Sequence, residues 1–194
     1  MTRKTMTILL AQIAAAALLF AAPAANVSAA DRKPSVRRID SDGHAHVTER
    51  IEMHREMLPE EFQHRKNFAW AVAVVDGLSK QEYFSHSSIQ NLDNLSDEAA
   101  TVISGISAAP SNAVYETLCV NRENTVDGPD CWNRRVDTEF KILEDITARL
   151  RGATNAAGRI RLYTDLYPCA SCLHVMDQFL QKFPNIQLEV LYKD

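Results

Sequence analysis

The tightest constraint on the fold lies in the last third of the chain, where two alternating segments enclose one with helical spacing. Arg159-Ile160-Arg161-Leu162-Tyr163 alternates as a strand. Cys172, Val175, Met176, Phe179, Leu180 and Phe183 then recur at helical spacing as far as Pro184, and Ile186, Leu188, Val190 and Tyr192 alternate again. Two strands joined through a helix lie parallel, with a right-handed crossover, so a sheet faced by helices is required.

Upstream, Phe68-Ala69-Trp70-Ala71-Val72-Ala73-Val74-Val75 is a continuous apolar run ending at Asp76-Gly77. Its length and valine content predict a strand buried on both faces. Glu82 to Ser87 reads as a second strand, giving a hairpin around Gly77 to Lys80. Between Val47 and Lys66 the pattern is helical and charged, divided by Pro59. Asp97 to Ile106 predicts a short helix, Val114 to Val120 fits helix or strand, and Asn121 to Trp132 reads as a loop. Phe140, Leu143, Ile146 and Leu150 share one helical face, with Lys141, Glu144, Asp145 and Arg149 mostly on the other. Gly152 to Gly158 follows as a loop. The order is strand, strand, helix, strand, helix, strand.

With 194 residues, the chain has room for one domain with a sizeable core. Arg3 and Lys4, the apolar stretch from Ile8 to Ala22 and the small residues Val27-Ser28-Ala29-Ala30 form the three-part pattern of a secretory signal peptide. Gln12 and Pro23 interrupt that stretch and argue against its retention as a membrane anchor. The expected division is a signal peptide over 1–30, a polar arm and charged helices over 31–66, and a folded domain over 67–194. The first part of the arm, 31–46, is polar and without period, and reads as a linker. The expected location is secreted or periplasmic, with no membrane contact after cleavage.

Cleavage would remove two basic residues and no acidic ones, taking the formal net charge from −4 to −6. An acidic domain lacks the cationic surface that drives non-specific duplex binding. Arg134, Arg135, Arg149, Arg151, Arg159 and Arg161 would make a local basic groove or, more simply, a set of solvated arginines.

Export makes the cysteines informative. Cys119 and Cys131 flank a polar, turn-rich segment with Asp127-Gly128-Pro129, which suits a disulfide-closed loop. Cys169 and Cys172, in Pro168-Cys169-Ala170-Ser171-Cys172, stand where a helix start favours thiolate, and suit a shared metal or a redox pair. Asp137-Thr138-Glu139 opens the preceding helix. Alone this acidic pair is what any first helical turn favours. At that turn, however, one carboxylate can face a metal while the other reaches the substrate side.

Acidic pair, strand, Pro-Cys-x-x-Cys and amphipathic helix fall in one order, and here the chain resembles the zinc-dependent cytidine deaminase-like superfamily, most closely its bacterial toxin-type deaminases. Residues 136–192 carry most of the resemblance, and the hairpin from Phe68 to Ser87 fits the first two strands. The resemblance implies an α/β fold, a cytidine deaminase-like three-layer α-β-α sandwich with a mixed sheet. It implies Zn²⁺ held by Asp137, Cys169 and Cys172, with Glu139 as general acid/base. The reaction implied is hydrolytic deamination of cytosine or adenine, in a nucleotide or single-stranded nucleic acid, by a secreted toxin or effector with a possible immunity protein as partner. Asp137 departs from the more usual His or Cys and would leave three anionic ligands around a divalent ion. The superfamily sheet commonly has a fifth strand, so the far edge here is expected to be open or covered by the N-terminal segment.

His86 in Phe84-Ser85-His86-Ser87-Ser88 is a candidate at the pocket rim, and Trp132 a candidate base-stacking residue, each with a structural role as the plainer reading. His174 is either a second donor layer or exposed. His44, His46, His54 and His64 share no helical face and read as solvated rather than as a metal site. Two other functions remain open: a periplasmic thiol–disulfide oxidoreductase using Cys169 and Cys172, and a non-catalytic zinc-stabilised binding module.

Overall fold

A computed structural model describes residues 33–40 and 43–194; residues 1–30, expected as a signal peptide, lie outside the described residues. Five strands form one mixed sheet: β1 (Ser35–Arg38), β2 (Phe68–Val75), β3 (Glu82–His86), β6 (Gly158–Thr164) and β7 (Ile186–Tyr192). Their order across the sheet is β1-β7-β6-β2-β3. The β6–β7 and β7–β1 pairs are parallel, and β6–β2 and β2–β3 are antiparallel. A short ribbon, β4 (Cys119–Val120) with β5 (Trp132–Asn133), stands apart from it.

β2 organises the sheet through an alternation of size. Ala69, Ala71, Ala73 and Val75 face one core, where small side chains let two helices approach closely. These helices are α4 (Thr138–Leu150) and α5 (Ala170–Lys182). Phe68, Trp70 and Val72 face the second core, beneath α1 (Ala45–Glu56) and the segment after β3. The registers Trp70↔Phe84, Trp70↔Tyr163 and Tyr163↔Leu191 set a row of large side chains across four strands on that second face. All of β2 except Val74 is buried, as the unbroken apolar run predicts. The result is the expected α-β-α layering. No helix among the described residues is long and apolar enough to cross a membrane.

The edge beyond β7 is covered by the N-terminal segment. The stretch read as an aperiodic linker contains β1, which adds in parallel to β7 with Ser35 opposite Glu189. The four-residue strand is mostly exposed, so it carries no hydrophobic alternation to betray it. Arg161 of β6 and Arg37 of β1 both pair with Glu189 of β7, tying three strands through one carboxylate. Burial alone would raise the Glu189 pKa, but these two arginines outweigh it and hold the carboxyl below its ordinary value.

Shorter elements differ from expectation at their ends. Pro59 separates α1 from the single turn α2 (Glu60–Gln63). The helix α3 (Asp97–Val102) stops four residues before Ile106, with Ser96 capping it by accepting the Ala99 N–H. The ambiguous stretch 114–120 is extended loop except for β4.

One expectation for α4 is corrected: Lys141 and Glu144, assigned to its solvent face, are both buried. Irregular loops cover that face, and their backbone groups need partners. Lys141 Nζ donates to the carbonyls of His86 and Ile89, each at 2.8 Å. Glu144 accepts from the backbone N–H of Val114 at 2.8 Å and of Tyr115 at 2.7 Å. Burial pushes the Lys141 ammonium down to about 7, against the opposing pull of Asp137 and Glu139.

Candidate active site

Two helix starts converge at one end of the sheet. Asp137 is the N-cap of α4, and Cys169 is the N-cap of α5. An N-cap aspartate ordinarily accepts from its own helix, a bond contributing about 1 kcal/mol. Asp137 makes no such bond. Its Oδ2 lies instead 3.3 Å from Cys169 Sγ and 3.2 Å from Cys172 Sγ, and the two sulfurs are 3.3 Å apart. Arg134 Nε donates to the same oxygen at 2.8 Å. Asp137 and Cys172 are buried and Cys169 half-buried. A carboxylate and two thiols drawn to one point form a group that can hold a metal ion.

The thiols differ. Cys169 Sγ accepts the Cys172 N–H at 3.4 Å at a helix start. Its pKa is lowered, chiefly by the hydrogen bond with Cys172. Cys172 is raised well above the ordinary thiol value by its hydrogen bond with Cys169, by burial and by the nearby carboxylates Glu139 and Asp137.

Glu139, two residues after Asp137, takes a different direction. Its Oε1 accepts from Thr164 Oγ1 at 3.0 Å, and its Oε2 from Thr138 Oγ1 at 2.8 Å and, more weakly, Asn67 Nδ2 at 3.4 Å. Burial first, and the Asp137 charge second, raise its pKa above the ordinary carboxylate value, while these donors oppose the rise. A buried carboxyl tuned upward between hydroxyl donors is suited to taking and returning a proton.

Residues 51–194 match a family of toxin deaminases, described as the BURPS668_1122 family of deaminases. The chain belongs to this family. Comparisons with curated proteins and with solved structures gave no match. The deaminase therefore carries its acidic pair and its Pro-Cys-x-x-Cys inside the matched region, on the two helix starts just described.

Other candidates fall elsewhere in this deaminase. Cys119 and Cys131 form the expected disulfide, with Cα atoms 5.3 Å apart. That bond removes them, and Asp127 beside them, from consideration as a second metal group. His86 is the residue expected at a pocket rim. It is buried, with Nε2 2.7 Å from the Arg65 carbonyl and Nδ1 accepting the Ser88 N–H, and burial lowers its pKa. Both ring nitrogens serve the chain itself. Trp132 is exposed, and the Arg134 guanidinium lies 4.6 Å over its ring. His174 is half-buried on α5.

Of the N-terminal histidines, His46 and His64 are exposed as expected, but His44 and His54 are buried. His54 Nδ1 lies 2.8 Å from the Arg50 carbonyl and the ring packs against Trp70 and Phe84. The arginines expected either as a groove or as solvated residues are partly neither. Arg134, Arg149 and Arg161 pair with Asp137, Asp145 and Glu189 within the chain.

Three supporting residues gave no local signal. Asn67, just before β2, donates to Thr138 and Thr164 and accepts from the Leu166 N–H, joining three segments around Glu139. Asp165 receives a bidentate pair from Arg55 at 2.6 and 3.2 Å, together with the Phe68 N–H and the Tyr163 hydroxyl. This anchors the loop that leads into Pro168 from the opposite layer. Asn124 accepts the Ala170 N–H at 2.8 Å, satisfying an unpaired donor at the start of α5. Each acts across tens of residues, so no short-range spacing marks it.

Proposed function

We propose that this deaminase is a zinc-dependent hydrolase that removes the exocyclic amine of a nucleobase, cytosine or adenine, in a nucleotide or single-stranded nucleic acid. It would act as an exported toxin, with the segment 1–30 as its cleaved signal peptide and an immunity protein guarding the producing cell. The observation that carries this reading is the parting of the two carboxylates. Asp137 gives up its cap to meet both thiols, while Glu139 is buried apart from them among hydroxyls.

The donor set suits zinc. Two cysteines and one carboxylate supply three protein ligands, the number that leaves a catalytic position open. Their donor atoms lie within 3.2–3.3 Å of one another, close enough that Asp137, Cys169 and Cys172 would hold one ion between them. When bound, zinc would supply Lewis-acid activation of a water molecule.

The chain's own residues do the rest. Glu139 would take one proton from the attacking water and give it to the ring nitrogen, then take the proton of the added hydroxyl and give it to the leaving amine, which departs as ammonia while the carbonyl forms. Thr138 and Thr164 hold its two oxygens in place, and Asn67 fixes both hydroxyls, so the carboxyl need not reorganise between transfers. Trp132 offers an exposed ring on the segment leading to Asp137, suited to stacking on a base.

The redox alternative accounts for less of the site. Cys169 has the lowered pKa such a pair would use, but a carboxylate set between both sulfurs serves no step of disulfide exchange and is left unexplained. Metal analysis and an ammonia-release assay on cytidine- and adenosine-containing substrates test the proposal. One zinc per chain is expected, with Glu139→Gln keeping the metal and losing about 10²- to 10⁴-fold in rate. A metal-free chain overturns zinc dependence, and an active Glu139→Gln overturns the proton-transfer role. Metal with no ammonia release points to a binding module.

A further inference from the structure

The ribbon that follows Leu118 touches both halves of the donor trio. On the carboxylate side, Arg134 Nε donates to Asp137 Oδ2, the oxygen that faces both sulfurs. This pair is largely enclosed, with side-chain exposures of 17% and 11%. The guanidinium is itself held over the Trp132 ring, on β5, next to the Cys119–Cys131 bond. On the thiol side, Asn124 Oδ1 accepts the Ala170 N–H, and the Leu118 N–H donates to Ser171 Oγ at 2.9 Å. Ala170 and Ser171 are the two residues between the cysteines.

We propose that Arg134 is the positioning residue that makes Asp137 a metal ligand, with the disulfide-closed ribbon as its rigid mount. The proposal rests on reading Asp137, Cys169 and Cys172 as the metal site. An aspartate at an N-cap has a competing use, since it can turn back to accept from the free N–H groups of its own helix. Arg134 holds the carboxylate in the other rotamer. It also sets a fixed positive charge beside a ligand set that carries one more negative charge than a divalent ion neutralises. Histidine caps poorly and brings no charge, so a His ligand would need no such partner.

Zinc affinity of the full chain, measured by competition with a chromogenic chelator at fixed pH, tests this with a double-mutant cycle. Hydrogen-bond partners of metal ligands typically change affinity by about 10- to 100-fold when removed, and Arg134→Gln is expected to lose that much. Arg134→Lys should recover part of the loss. Combined with Asp137→His, the same Arg134→Gln substitution should cost less than about threefold, because the ligand it serves is gone. Opening the mount with Cys119→Ala and Cys131→Ala should weaken zinc in the wild-type background more than in the Asp137→His background.

Equal losses in both backgrounds, or no loss at all, overturn the positioning role while leaving the metal reading intact. A wild-type chain that binds no zinc overturns the metal reading and this inference with it. Should Arg134→Gln prove unfolded by circular dichroism, the cycle is run with Arg134→Lys, where background-independent affinity counts against the proposal.

Discussion

The unit β6-α5-β7 and the segment from Leu118 to Asp137 each supply half of the candidate site, yet they are held in opposite ways. The first is periodic and packed: Val175, Met176, Phe179 and Leu180 of α5 and its C-cap Phe183 are buried in one core with Ile160, Leu162, Leu188 and Val190 of the sheet. The second has one buried apolar side chain on its two short strands, Val120, and is secured by a disulfide, an ion pair and side-chain-to-backbone hydrogen bonds. Hydrophobic packing tolerates small shifts of each contact, whereas bonds of this directed kind lapse with a single atom. A cysteine at the end of a packed helix is therefore robust. A carboxylate held beside a ribbon is conditional.

The largest effect should come from breaking the packed half. Phe179 is fully buried between Tyr115 and Phe183, and Phe179→Ala should cost about 3–5 kcal/mol, read from the urea midpoint at constant slope. While the chain stays folded its zinc affinity should change little. Removing the Cys119–Cys131 bond should cost less, about 3 kcal/mol on the chain-entropy estimate for a short loop, and should move zinc affinity more than Phe179→Ala does. If both variants lose stability and zinc in the same proportion, the contrast between the two halves fails.

A smaller effect is expected outside both halves, where α4 meets the loop after β3. Lys141→Met removes the donor shared by the His86 and Ile89 carbonyls and should cost about 1–3 kcal/mol in thermal or chemical unfolding. The loop 86–90 should then gain the fastest amide exchange. The smallest concerns the opposite edge, and its sign follows from linkage. The Glu189 carboxyl is lowered in the folded state, so its contribution is present above the ordinary value of 4.5 and is lost as pH falls through the folded value. Below about pH 4.5 the wild-type melting temperature should therefore fall more steeply than that of Glu189→Gln. Parallel curves would mean that Arg37 and Arg161 do not act through this carboxylate.

Legibility followed the same divide. The runs 68–75, 159–163 and 186–192 appear as strands because burial writes a period into the side chains. β1 was unreadable because it is an exposed edge strand, recognised through backbone pairing with β7 and the Arg37–Glu189 bond. Lys141 and Glu144 were misassigned for a related reason. Helical spacing tells which residues share a face, and says nothing of whether a loop returns to cover the other face.

Within the site, the candidate ligand types were legible because helix starts and the Cys-x-x-Cys spacing are local properties. Their direction was not. Asp137 turns from its helix to the sulfurs with Arg134 bonded to the same oxygen, beside a ribbon closed by a disulfide, and Glu139 owes its surroundings to Thr138, Asn67 and Thr164. The sequence by itself determined the α/β class, the parallel unit and the identity of the acidic and cysteine motifs. Only the tertiary structure decided which oxygen meets which sulfur, because that choice is made by contacts between residues far apart in the chain, where no period or spacing can record them.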